Sequence, residues 1–199
     1  MIKRLSILII LILSIGFMSQ AEFRYGIRLG GMFANARVKR TPGISISGKS
    51  GFSGGLVLEY QHPNNGFATD IGISYTRYTI KFRDPQMYPE NFGRNFLEIP
   101  LHFKYKFWIP KFYDLIAPMV YTGPSLLIRV GDRHRTQVST WRCQPGWDVG
   151  IGIDFANFIQ LSGGYRFGIG NVVNNFMGCP DASIRSDGWN IAATILFKF

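Results

Sequence analysis

After its first 21 residues the sequence has no long apolar run and no capped segment of helical period. That absence excludes crossing a membrane on helices, so any residence in a bilayer falls to strands. Acidic residues are few, 12 against 22 Lys and Arg in 199 residues. Cysteine is rarer still, with only Cys143 and Cys179. Two thiolates with no neighbouring imidazole but His134 make an incomplete zinc site, so neither a metal nor another cofactor is expected.

The one continuous apolar run opens the chain. Lys3 and Arg4 precede the stretch Leu5–Phe17, and Ser19-Gln20-Ala21 places small residues where a signal peptidase reads. A spanning helix needs about 20 apolar residues and this run is shorter. Residues 1–21 therefore read as a secretory signal peptide rather than an anchor. Residues 22–199 then form one domain with 20 basic and 12 acidic residues. For an exported chain that excess points to acidic lipids and polysaccharides rather than nucleic acid, and two cysteines suit an oxidising compartment.

What fills the domain is strict alternation. In NFLEIPLHFKYKF (95–107), Leu97, Ile99, Leu101, Phe103, Tyr105 and Phe107 alternate with Phe96, Glu98, Pro100, His102, Lys104 and Lys106. The same period runs through FRYGIRLGGMF (23–33), GFSGGLVLEYQ (51–61), FATDIGISY (67–75), WDVGIGIDF (147–155), FIQLSGGYRFGIG (158–170) and WNIAATILFKF (189–199). A further strand is expected over 117–129, where Pro118 and Pro124 leave the phase open. Connections after the second, fourth and sixth strands are short, and those after the odd strands are long. An up-and-down meander of eight strands puts all the long loops at one end and both termini at the other.

Two barrels share this period: a soluble one with its apolar face inward, and a membrane barrel with that face in lipid and a polar lumen. The polar face is rich in glycine (Gly26, Gly30, Gly55, Gly72, Gly150, Gly152, Gly164 and Gly168), which suits a narrow interior. Aromatics gather at both strand ends, as two interfacial girdles require. The expected fold is all-β, an eight-stranded antiparallel up-and-down transmembrane β-barrel over 22–199, resident in the outer membrane.

The segments GFSGGLVLEYQ, NFLEIPLHFKYKF, YTGPSLLI, WDVGIGIDF, LSGGYRFGIG and the closing ILFKF resemble the strand motifs of PorT-type outer-membrane β-barrel proteins. The resemblance implies the barrel fold. Because some members assist protein secretion, it also implies secretion-system proteins as partners. The final aromatic, Phe199, resembles the assembly signal read by barrel-assembly machinery.

The expected lumen holds Arg24, Arg28, Lys104, Lys106, Arg166 and Lys198 against Glu59, Asp70, Glu98, Asp148 and Asp154, with His102 among them. Charges in a dry interior must pair, so they read as a plug rather than an ion path. The long loops carry Arg37, Lys39, Arg40, Lys49, Lys81, Arg83, Arg94, Arg129, Arg133, Arg135, Arg142 and Arg185 against five acids. Such a rim is either solvated or set among lipopolysaccharide phosphates, where Arg pairs bidentately. Cys143 and Cys179 fall in the loops after the fifth and seventh strands, within reach of each other, and a disulfide between them is expected. No catalytic residue is assigned, and the expected role is non-catalytic binding or scaffolding. The competing class is a lipid A-modifying enzyme, with His134, Ser139 or Thr136, and Asp132 in GDRHRTQVST as base, nucleophile and orienting acid. GWDVGIGID imitates a nucleotide-binding glycine run, but no helix follows to receive phosphate.

Overall fold

The structure is a computed structural model and describes residues 22–39, 45–48, 50–63, 65–83, 91–107, 115–130, 139–140, 143–169, 173–175 and 183–198. Residues 1–21, expected to be a signal peptide, lie outside them. The strands are β1 (Glu22–Lys39), β2 (Ser45–Gly48), β3 (Ser50–Gln61), β4 (Phe67–Arg83), β5 (Asn91–Lys106) and β6 (Ile116–Arg129). They continue with β7 (Ser139–Thr140), β8 (Cys143–Phe155), β9 (Ile159–Gly168), β10 (Val173–Asn175) and β11 (Ser183–Lys198). Eight of them, β1, β3, β4, β5, β6, β8, β9 and β11, form a closed antiparallel barrel. The ring is joined by β1–β11, whose register runs through sixteen pairs from Arg24↔Lys198 to Lys39↔Ser183. No helix of the described residues is long and apolar enough to cross a membrane.

Alternation decides which face is which. Leu56 is 63% exposed and Ile151 is 69% exposed, while Arg24, Glu59, Asp70 and Lys106 are each 0% exposed. A protein with charges inside and aliphatics outside has lipid as its solvent, because only there does an exposed aliphatic surface cost nothing. Cross-strand aromatic pairs close both rims. Tyr25–Phe197 (5.8 Å) and Phe67–Tyr105 (4.9 Å) lie at the short-turn end, and Tyr165–Trp189 (5.1 Å) lies at the other. The β8–β9 turn has positive φ at both central residues, Ala156 (50°) and Asn157 (54°), the conformation that matches hairpin twist. Asn tolerates it; Ala is strained there.

The structure settles the phase of the fifth strand. Met119, Tyr121, Ser125 and Leu127 of β6 are buried, while Val120 and Thr122 face outward. Tyr121 fits because Gly150 and Gly164 lie beneath its ring, where an added Cβ would sit 2.3 Å from ring or hydroxyl atoms. At Gly123 a Cβ would lie 1.9 Å from the Leu101 carbonyl oxygen. Near this height the ladder skips two positions on each side of β5. Gly72 and Ile73 are unmatched with Ile99 and Pro100, and Leu101 and His102 with Gly123 and Pro124. Pro100 and Pro124 have no N–H to give.

Several expected loop residues belong to strands instead. Arg37 and Lys39 lie on β1, Lys81 and Arg83 on β4, Arg94 on β5, Arg129 on β6, Arg185 on β11, and Cys143 begins β8. The physical reason is that beyond the bilayer a strand keeps its ladder, as in Arg37↔Arg185, with no demand for an apolar face. Arg40, Lys49, Arg133, Arg135 and Arg142 lie outside the described residues.

Candidate functional site

The lumen is the one place where the sequence concentrates chemistry among the described residues. Strand β5 supplies Glu98, His102, Lys104 and Lys106 from successive or alternate inward positions, which is why its back is so polar. Strands β1, β3, β4, β8 and β9 supply the partners.

Toward the short-turn end Glu59 is the hub. Its carboxylate accepts Arg24 Nη2 at 2.8 Å, Lys104 Nζ at 2.7 Å and Lys106 Nζ at 2.8 Å, and also Gln160 Nε2 at 2.9 Å. Lys106 donates as well to Asp154 at 2.6 Å, and Arg24 to Gln61 Oε1 at 2.7 Å and to Asn157 of the tight turn. The next layer centres on Asp70, which meets Arg28 Nη2 and Lys104 Nζ, each at 2.6 Å. His102 stands between two carboxylates, with Nδ1 3.2 Å from Asp70 and Nε2 3.2 Å from Asp148. Arg166 joins Asp148 (2.9 Å) to Glu98 (2.5 Å), and Thr76 donates to Glu98 at 3.0 Å. Toward the long-connection end Met32, Phe96 and Leu127 cluster across the lumen as an apolar cover.

Five cations (Arg24, Arg28, Lys104, Lys106, Arg166) thus face five carboxylates (Glu59, Asp70, Glu98, Asp148, Asp154). Such pairs survive away from water because each charge has an opposite partner, although Arg24 Nε and Asp154 Oδ1 are buried without a hydrogen bond. Between the ionic layers and the apolar cover lies a cavity of about 50 Å³, lined by Glu98, His102, Tyr121, Asp148 and Asn190 among others. It has room for a few waters.

Lys198 does not join this cluster. It shares the inward alternation but lies at the short-turn rim, where its 59%-exposed side chain pairs with Glu22 at 2.5 Å. Gln160, Thr76, Tyr121 and the apolar cover were not singled out by the sequence. Gln160 and Thr76 carried the signal of inward phase, whereas β6 offered none for Tyr121.

The remaining expected sites fare differently. Cys143 is an exposed free thiol, Cys179 lies outside the described residues, and no bridge between them is shown. The two connections such a bridge would tie are joined by a β7–β10 ribbon, Thr140↔Val173 and Ser139↔Asn175. His134, Thr136, Asp132 and Phe199 lie outside the described residues, and only the backbone of Ser139 is within them. Among the described residues no group of three or more His, Cys, Asp or Glu could hold a metal ion.

Comparison with known proteins agrees with this architecture. The outer membrane protein OprG of Pseudomonas aeruginosa superposes with a TM-score of 0.62 at 9% identity, over 89% of this chain and 96% of that one. Neisserial surface protein A gives 0.51 at 18% identity, over 87% and 97%. AlkL, solved in lipid bilayers, gives 0.51 at 16%, over 90% and 92%. These identities speak for the fold alone. No curated protein matches the sequence. The model of the outer membrane protein beta-barrel domain family matches residues 18–174, and the chain is an outer-membrane protein that belongs to that family.

Proposed function

We propose that the protein is a plugged, non-conducting and non-catalytic barrel that binds or scaffolds at the cell surface, its long connections outward and its termini in the periplasm. The observation that carries this is the lumen, where five cations and five carboxylates pair across six strands beside a cavity of about 50 Å³. An eight-stranded barrel is just filled by its own side chains, and here those side chains hold one another. The likeness to PorT-type proteins supports a place beside a secretion apparatus, and an outer-membrane barrel needs barrel-assembly machinery to insert.

The test is reconstitution into planar bilayers. Absence of steady single-channel steps is expected, and steps of porin size would overturn the plug. The enzymatic alternative is checked by mass spectrometry of lipid A with and without the gene. A changed acyl pattern restored by wild type but not by His134→Ala would replace the non-catalytic reading. Co-purification from native membranes identifies the partner.

A further inference from the structure

The barrel wall is not equally charged around its long-connection end. Beyond the aromatic boundary marked by Phe33, Phe52, Tyr75 and Trp189, the strand positions on one side are basic. They are Arg37 and Lys39 on β1, Arg77, Lys81 and Arg83 on β4, and Arg185 on β11. These continue the alternate positions of the lipid-facing series, Ile27–Leu29–Phe33, Ile71–Ile73–Tyr75 and Ile191–Trp189. Arg77, two residues beyond Tyr75, is exposed. Among the described residues, the corresponding outer ends of β6, β8 and β9 carry only Arg129 beyond their aromatic boundary.

Nothing acidic stands opposite these residues in the ladder. Arg37 is matched with Arg185, Lys39 with Ser183, Arg83 with Ser45, Lys81 with Ser47 and Asn91, and Arg77 with Phe52 and Asn95. The one acid on these outer strand ends, Asp187, accepts the Gly168 N–H at 3.0 Å. Along a strand rising about 3.3 Å per residue and tilted by about 40°, the basic positions span from just above the boundary to roughly 20 Å beyond it. The headgroup layer takes up about 5–7 Å of that span, so Arg77 stands within it and the remaining basic positions stand above it.

From this juxtaposition we infer that the flank running from β11 through β1 and across β2 to β4 is a binding surface for phosphorylated lipopolysaccharide, its arginines and lysines taking the lipid's phosphate groups. The inference rests on the outward placement of the long connections proposed above. Arg suits the task because its fork pairs bidentately with phosphate. The partner is held to one flank, so the barrel has a preferred face toward its lipid.

The test uses the full-length mature protein folded in neutral detergent, titrated with purified lipopolysaccharide, with the same material enzymatically dephosphorylated, and with phosphatidylglycerol micelles. Intact lipopolysaccharide is expected to bind tightest and to weaken as salt rises. The Arg77→Gln/Lys81→Gln/Arg83→Gln variant is expected to bind on the order of 100-fold more weakly, at about fivefold per charge removed. Lys198→Gln, at the opposite rim, is expected to bind as wild type does. Equal affinity for the dephosphorylated lipid or for phosphatidylglycerol would overturn the inference, as would an unaltered triple variant or an equal loss in Lys198→Gln. The two wild-type comparisons decide the matter even if the triple variant fails to fold. They are independent of bilayer conductance, so a failed plug and a failed lipid site give different results.

Discussion

Replacing Glu59 by Gln would test whether the lumen is one coupled unit. The change preserves shape but removes the charge that Arg24, Lys104 and Lys106 share at 2.7–2.8 Å, and it points an amide N–H₂ at cations in place of an oxygen. Lys104 would keep Asp70 at 2.6 Å and Lys106 would keep Asp154 at 2.6 Å. Arg24 fares worst, because its other carboxylate, Asp154, is 3.8 Å away. Breaking a buried pair costs about 3–5 kcal/mol, and the partners retained here place Glu59→Gln near the lower figure, about 3 kcal/mol. The assay is reversible urea unfolding from lipid vesicles, followed by tryptophan fluorescence and by the heat-dependent mobility of the folded band. Adding Arg24→Met removes the orphaned cation, and the double variant should recover about half of the loss. Lys198→Gln, at the exposed pair with Glu22, should change stability by less than about 1 kcal/mol. A Glu59→Gln barrel as stable as wild type, or a double variant whose losses simply add, would refute the coupled network.

Gly150→Ala should cost about 1–3 kcal/mol, since its Cβ would meet Tyr121 at 2.3 Å, and Tyr121→Leu should relieve part of it in the same unfolding assay. Ala156→Gly should stabilise the barrel by about 0.5–1 kcal/mol, because Ala156 holds φ at 50° in the β8–β9 turn; a loss of stability would show the turn to be unstrained. Trp147→Phe on the lipid-facing wall removes the 2.8 Å donation to Thr122 Oγ1 while keeping the ring, and should cost about 1 kcal/mol; no change would mean that the bond contributes nothing there.

The barrel was legible because its lipid-facing half obeys one rule. Leu97 to Phe107 alternate without a break, and six other segments repeat the pattern, which with one strand of open phase sets strand number and closure. The rule stops where lipid stops. Arg37, Lys81 and Arg185 therefore looked like loop residues, although a backbone ladder continues through them. Strand β6 hid its phase because Met119, Tyr121 and Leu127 face inward in a lumen otherwise chosen for polarity. Alternation also named the charged residues without naming their partners. Glu59 and Lys104 lie two strands apart and meet only across the curvature of the closed barrel, while Lys198 has the right phase but stands one step past the barrel's enclosed interior.

The β1–β11 ladder carries a consequence for how the chain folds. Its sixteen matched positions join the two ends of the domain, so the contacts of greatest sequence separation are also the most extensive seam. Loop-closure entropy delays such contacts, and lipid allows no open strand edge to wait for them. Arg24 and Arg28 ride on β1, so the ionic layers cannot dry until β11 arrives to shut the ring. Closure of the backbone and dehydration of the charges must then be a single kinetic event. A partly inserted sheet would hold its own interior open to water until the moment it becomes a barrel.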